Sequence, residues 1–271
     1  MTEQEIDDLF AATLLGDYDD EEPWKAVAKL RLNGNRRIFD VASKWCIASE
    51  PQKRARGASI LGQLRAPHSI GQKQSKRPGD PIFVEESYEI ISRMLENVSD
   101  AEALGSEIFA LGHLYREAAV PLILNYVDHP DENIRFAATC SLGHFPQNET
   151  AIQALVRLAD DYDDDVRNYA LFALGTQSNL DTPELRETLA MHLNDPFTDA
   201  REEAIAGLAK RKDERAVLPL LRLMEAGSYP MHLEDCFEKL VGEERSGEEK
   251  WGTEDFIDAL YARFSDRLPP R

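Results

Sequence analysis

The sequence predicts an all-α fold, an α-solenoid (superhelix) of about five to six helix pairs. Three observations predict it. First, the line Asp165-Val166-Arg167-Asn168-Tyr169-Ala170-Leu171-Phe172-Ala173-Leu174-Gly175 recurs in weaker copies. Ile134-Arg135 through Leu142-Gly143 lies 32 residues upstream, and Ala200-Arg201 through Leu208-Ala209 lies 34 downstream. Ala103-Leu104 through Leu111-Gly112 precedes Arg135 by 31 with the arginine lost, and Lys53-Arg54 through Leu61-Gly62 makes a fifth. A period in the low thirties with one such helix per period marks a stacked helical array. Second, apolar residues between these lines follow helical spacing, so each line has a partner helix. Third, 42% hydrophobic residues supply a buried layer between the helices.

The elements follow in order. Residues 2–15 read as a short amphipathic helix carrying Ile6, Leu9, Phe10, Leu14 and Leu15. Gly16 and the acidic run Asp17–Glu22 break it, so residues 1–22 form an N-terminal helix and linker. Pro23 suits the first turn of a helix carrying Trp24, Val27 and Leu30, since a first-turn residue needs no amide hydrogen. Asn33-Gly34-Asn35 turns the chain, and helix 36–48 pairs with helix 51–64. Residues 66–81, rich in Pro, Gly, Lys and Gln, read as an inserted basic loop, which explains why the first spacing is 50. Pairs then run 83–96 with 101–114, 118–127 with 131–144, 149–159 with 163–176, 183–193 with 197–210, and 214–226 with 231–241. The solenoid therefore spans 23–241. Residues 242–271 form a polar linker and a capping helix near 253–264, with Phe256, Ile257, Leu260 and Tyr261 on its apolar side.

The repeat line has a packing logic. Ala138, Ala170 and Ala204 allow close approach of neighbouring helices, and Leu142, Leu174 and Leu208 fill the layer between repeats. Gly143 and Gly175 fall late in their helices, consistent with termination and close packing. Seven residues before each anchor stands a short polar acceptor: Asn97, Asp128, Asp160 and Asn194. With Arg135, Arg167 and Arg201 this predicts a structural ladder in which Asp or Asn side chains hold loop amides and the guanidinium.

The formal charge is −19. It repels phosphate backbones and anionic lipid and favours cationic partners by steering. Segment 51–79 carries seven basic residues and no acid, which leaves −26 on the remainder. Its simplest role is a solvated face paired with the chain's own acids. Cys46, Cys140 and Cys236 are far apart and odd in number, so no disulfide framework is implied. No apolar stretch is long enough to span a membrane, and the acidic start lacks a signal pattern. A cytoplasmic, monomeric protein with neither nucleic-acid nor membrane partner is expected.

These lines resemble HEAT repeats of the phycobilisome-lyase-like kind over about 51–226. The resemblance is most specific over 163–222 and in Arg56-Gly57-Ala58-Ser59-Ile60-Leu61-Gly62-Gln63-Leu64, which look like small bacterial HEAT proteins. Some of those accompany Rhs-type toxins and are regarded as their immunity proteins. The resemblance implies that the second helix of each pair lines a concave, partner-binding face. Positions after the arginine that miss the packing layer are Ser106, Phe109, His113, Phe136, Cys140, His144, Asn168, Tyr169, Phe172, Thr176, Glu202, Glu203 and Lys210. Phe109, Cys140, Phe172 and Ala206 form one column. Asp164, Asp165, Glu202 and Glu203 would steer a basic protein, with Phe109, Tyr169 and Phe172 as anchors. The alternative for the phenylalanines is packing at repeat junctions.

No catalytic residue emerges. HEAT-fold deoxyhypusine hydroxylases hold two irons with His-Glu pairs after the repeat arginine, where this chain has Phe136-Ala137, Asn168-Tyr169 and Glu202-Glu203. Cys140, His144 and His113 share a face, but a fourth metal ligand is missing. Asp163-Asp164-Asp165 lacks the glycine and distal glutamate of a calcium loop and reads as an acidic helix start. HEAT-like DNA glycosylases need a basic groove, which the total charge opposes. The runner-up to a protein-binding module is a lyase or other cofactor-handling enzyme of the resembling group, although no chromophore or other cofactor site can be identified.

Overall fold

A computed structural model describes residues 1–16, 20–67, 79–97, 100–227, 234–242 and 252–271, with backbone only at 97 and 102. Among these residues the fold is an all-α solenoid of fifteen α-helices without a β-strand. It divides into two compact units, Met1–Phe145 and Pro146–Arg271.

The first unit contains α1 (Glu3–Ala12), α2 (Glu21–Leu32), α3 (Arg36–Trp45), α4 (Pro51–Leu61), α5 (Val84–Met94), α6 (Ala101–His113), α7 (Val120–Ile123) and α8 (Glu132–Gly143). Short polar residues start these helices by taking up orphan amides. Thr2 forms a reciprocal capping box with Glu5, and Asn35, Asp100 and Asp131 each accept from an amide of the first turn. The repeat helices α4, α6 and α8 pack side by side in that order. Helix α1 packs on α2, and its Phe10 meets Trp45 at the end of α3 edge-on at 4.9 Å. It ends at Ala12, earlier than the sequence predicts, because the buried Thr13 hydroxyl turns back to the Phe10 carbonyl at 2.8 Å. The predicted helix over 118–127 is α-helical only at Val120–Ile123, with tighter 3-10 turns on either side.

The ends of the predicted basic loop are tied together. Across the stem Ala66 N donates to Asp80 O at 2.8 Å and Gly79 N donates to Ala66 O at 2.9 Å, and Arg65 bridges Pro81. The chain thus leaves and re-enters the array at one place, and the insertion does not separate α4 from α6. Most of the loop, 68–78, lies outside the described residues, as do residues 17–19 of the acidic run and most of the predicted linker after 241.

The second unit contains α9 (Glu149–Leu158), α10 (Asp164–Phe172), α11 (Pro183–Met191), α12 (Thr198–Lys210), α13 (Val217–Glu225), α14 (Glu234–Val241) and α15 (Thr253–Phe264). Here α10, α12 and α14 form the packed series, and α15 covers α13 and α14, with Phe256 edge-on to Phe237 at 6.2 Å. Helix α10 continues as a π-helical turn over Ala173–Gln177. The cause is Arg211, 8% exposed, whose guanidinium donates to the carbonyls of Leu174, Gly175, Ser178, Leu180 and Gly207 at 2.8–3.1 Å. A widened turn is the geometry that lets one guanidinium collect so many carbonyls.

Close approach of the repeat helices rests on small residues. Ala138, Ala170, Ala204, Leu142, Leu174 and Leu208 are wholly buried. A Cβ at Gly62 would lie 2.7 Å from the Ala110 Cα, one at Gly112 2.7 Å from the Ser141 Cβ, and one at Gly207 2.6 Å from the Gly175 Cα. Gly175 has no left-handed backbone, so its role is proximity rather than termination. Gly105, on the same helix as Gly112, differs: a Cβ there would meet only the Ile134 Cδ1, at 3.7 Å.

That contrast gives a paired prediction. Gly105→Ala gains helix propensity and should stabilise the protein by up to about 1 kcal/mol. Gly112→Ala must push α6 and α8 apart and should destabilise it by about 1–3 kcal/mol. Urea titration followed by far-UV circular dichroism reads both; equal shifts would remove the close-packing argument.

Candidate functional site

The repeat arginines build the frame of the site. Each reaches back over the loop before its own helix and donates to carbonyls six and five residues earlier. Arg54 binds Ala48 and Ser49, Arg135 binds His129 and Pro130, and Arg167 binds Asp161 and Tyr162, at 2.9–3.3 Å. Arg201 binds the Asp195 carbonyl at 2.5 Å. This corrects the predicted ladder at Arg167 and Arg201, whose acceptors are not the side chains of Asp160 and Asn194. A guanidinium lying along the loop meets carbonyls first, and Asp160 instead faces His192 Nε2 at 3.3 Å. Asn194 is exposed beside Arg201 in a shallow surface hollow. Asp128 is exposed, and the Asn97 side chain lies outside the described residues. A second contact links adjacent repeats: Arg54 pairs with Asp100, and Arg167 holds both oxygens of Asp195 at 3.1–3.2 Å. Asp195 also accepts from the Phe197 amide and pairs with His192 Nδ1 at 3.1 Å. Neither His192 nor Asp195 stood out in the sequence, since Asp195 lies one residue past the repeated acceptor position.

In the first unit the positions expected to face a partner surround an open cleft of about 580 Å³ between α2, α4, α6 and α8. Phe109 and Phe136 line it, half-buried and edge-to-face with centroids 6.3 Å apart, and His113 closes one end. The His113 and His144 ring centroids lie 4.9 Å apart, and Tyr115 lies at the same distance from His144. Burial, followed by the neighbouring His144, Arg31 and Arg65, pushes His113 down to about 4, and burial also lowers His144. Both imidazoles are therefore neutral at pH 7. The opposite wall holds Trp24, with the Arg56 guanidinium 4.3 Å and the Arg31 guanidinium 5.7 Å from its ring centroid. The sequence offered Trp24 only as an apolar helix marker, and its distance along the chain from Phe109 hid the relation. Cys140 and Ser106 are buried, 7% and 6% exposed, so Cys140 is a packing residue rather than a presented one. Among the described residues no three His, Cys, Asp or Glu side chains gather as for a metal ion.

In the second unit Tyr169 and Phe172 form an edge-to-face pair at 5.5 Å, both half-buried, and Asn168 is half-buried beside them. Asp165 is exposed and Glu202 half-exposed. Three side chains expected to face a partner are engaged internally. Glu203 is 8% exposed and accepts from Thr176 Oγ1 at 2.6 Å. Lys210 donates to the carbonyls of Thr176 and Ser178 at 2.7 and 3.0 Å. Asp164 remains largely exposed but pairs with Arg167 at 2.5 Å. One physical reason covers Glu203 and Lys210: the unwound carbonyls and hydroxyl after α10 need partners, and α12 supplies them.

Behind the cleft, α6 carries one buried acid. Glu107 is 1% exposed, and its Oε2 has no hydrogen-bond partner. Burial pushes the carboxyl up to about 7, with Arg54 drawing it down and Asp100 adding to the rise. An acid inside the apolar run from Ala103 to Leu111 was the available sequence signal.

A family profile described as HEAT repeats matches residues 92–175 and 157–232, together more than half of the chain. Protein YibA of Escherichia coli (strain K12) is 27% identical over 217 residues, 78% of this chain and 71% of that protein. The X-ray structure of YibA superposes with a TM-score of 0.64 at 24% identity, covering 88% of this chain and 84% of that one. The complex of CpcE and CpcF of phycocyanin lyase from Nostoc sp. PCC7120 gives 0.43 at 18% identity, covering 82% and 81%. The YibA structure supports the fold; the lyase likeness is too distant to bear on activity.

The raised carboxyl of Glu107 makes a signed prediction. Stability contributed by its neutral form is complete below the ordinary value of 4.5 and is lost as pH rises through about 7. Wild type should lose about 1–3 kcal/mol between pH 5 and pH 8 relative to Glu107→Gln. Urea titrations at both pH values test this, and parallel losses in the two proteins would refute it.

Proposed function

We propose a protein-binding function from a plain premise: the chain belongs to the HEAT-repeat family. It is a non-enzymatic, cytoplasmic, monomeric interaction module that holds a basic protein against the presented faces of its repeat helices. The observation that carries this reading is the Tyr169–Phe172 pair, half-buried, with the exposed Asp165 one turn earlier on the same helix, on a chain of net charge −19. Half-buried aromatics together with negative charge are what a binding hot spot offers a cationic surface. Glu203 is not part of it, being bonded to Thr176. The narrower reading is an immunity-type inhibitor that occludes a cationic toxin domain, supported by the likeness of the repeat lines to toxin-associated HEAT proteins. Steering by net charge makes association salt-dependent, whereas the aromatic anchors govern dissociation.

The test uses the product of the adjacent reading frame, if it is a toxin-like protein, in growth rescue and in surface binding. Wild type should neutralise it and bind it, with association slowing at least tenfold from 50 to 500 mM salt. Tyr169→Ala with Phe172→Ala should raise Kd at least tenfold while the helical signal stays unchanged. Unchanged affinity in that double variant would overturn the presented-face reading. Protein purified from its own host should be colourless and metal-free by absorbance and elemental analysis; stoichiometric chromophore or metal would favour a cofactor-handling enzyme instead.

A further inference from the structure

The first-unit cleft has a definite chemistry, and it is divided. Its α2–α4 wall already holds a guanidinium, because Arg31 Nε donates to the Ser59 carbonyl at 2.8 Å and lies over Trp24. Its α6–α8 wall holds aromatic surface and a carboxylate instead. Phe109 makes its one ring contact, among the described residues, with Phe136. Asp131 caps α8, its Oδ1 accepting from the Asn133 amide at 2.9 Å and the Asn133 Nδ2 at 3.2 Å. It forms no ion pair with any described cation, although it is half-buried and lines the cleft. The floor between the walls is open because α6 has Gly105 there, a position at which an added Cβ meets ordinary contact only.

We propose that this half of the cleft takes the side chain of an arginine from a partner protein, its guanidinium on the Phe109–Phe136 pair and charge-paired with Asp131. The proposal rests on the basic-partner reading and deepens it by naming the group recognised and its seat. A guanidinium suits such a site better than an ammonium: it is planar, stacks on aromatic faces and is weakly hydrated. Arg31 and Arg56 on Trp24 show the same chemistry on the opposite wall. Arg31 is held on its own wall by the Ser59 carbonyl. The neutral His113 adds no repulsion at pH 7.

The probe is a fluorescein-labelled octapeptide alternating arginine and glycine, compared with the same peptide carrying citrulline, which keeps shape and loses charge. Fluorescence anisotropy should show the arginine peptide binding at least tenfold more tightly than the citrulline peptide. Asp131→Asn keeps the cap, because asparagine caps as well as aspartate, and should abolish that preference. Gly105→Leu fills the floor and should weaken the arginine peptide at least tenfold. Glu149→Gln removes one exposed charge in the second unit and should leave binding within twofold. Equal binding of the two peptides overturns a cationic occupant. Equal binding by all variants overturns this cleft while leaving the general basic-partner reading standing. Absence of peptide binding also overturns it, and the reading itself then stands or falls on the toxin experiment alone. Unfolding of Asp131→Asn, read by circular dichroism, passes the decision to Gly105→Leu.

Discussion

Backbone contact between repeat helices is the constraint on which the rest depends. Where Gly62 faces Ala110, Gly112 faces Ser141 and Gly207 faces Gly175, a single added Cβ would sit inside a neighbour's atoms. Helices that close leave no room for side chains along the contact, so every larger residue must point elsewhere. That exclusion sorts each repeat helix into a packed edge and a presented edge. It also gives the buried leucines their shared register, because Leu142, Leu174 and Leu208 occupy equivalent places in the layer. Hydrophobic burial supplies the driving force, but it is non-directional and would not by itself choose this spacing.

The arginines convert that spacing into fixed loops. A loop that turns tightly between two helices exposes carbonyls that must be satisfied, and each repeat arginine supplies them from the helix that follows. Arg167 does more, since its remaining donors hold Asp195 from the following repeat. Helix α6 has Leu104 where the others have arginine, and Gly105 where α8 has Phe136. The cleft of the first unit opens at this interruption. A site in a repeat array is most easily made where one repeat departs from the pattern, because regular repeats fill their own grooves.

Period and face were legible in the sequence because both depend on residue type at fixed spacing. The helix pairs, the small residues at the contacts and the edge carrying Phe109, Phe136, Tyr169 and Phe172 all follow from that register. Depth was not legible. Glu202 and Glu203 are neighbours with equal claim to the surface by sequence, yet Glu203 turns inward to Thr176. The deciding fact is the π-helical turn after α10, whose carbonyls are held by Arg211 from the end of α12. The ladder shows the same limit at Arg167 and Arg201: spacing placed an acceptor seven residues before the arginine, while geometry selects the carbonyl one residue later. Trp24 escaped for another reason. It enters the cleft from a helix outside the recurring line, so no internal comparison could align it with Phe109.

Formal charge needs the same distinction between count and placement. Many of the acids are already committed: Asp213 to Arg186 and Arg215, Asp181 to Arg186, Asp164 and Asp195 to Arg167. The Arg215 and Arg186 guanidiniums hold Asp213 down to about 2, so it stays ionised yet contributes little free field. Helix-capping acids behave differently. A cap bond satisfies an amide but brings no compensating side-chain charge, so Asp131 and Asp163 keep most of their negative potential while fixing the start of a helix. Helices α8 and α10 begin with such caps, so the residues that start these helices also supply negative charge at their N-terminal ends. Under the proposed basic-partner reading, the acids that start these two helices are also among those a cationic partner would meet.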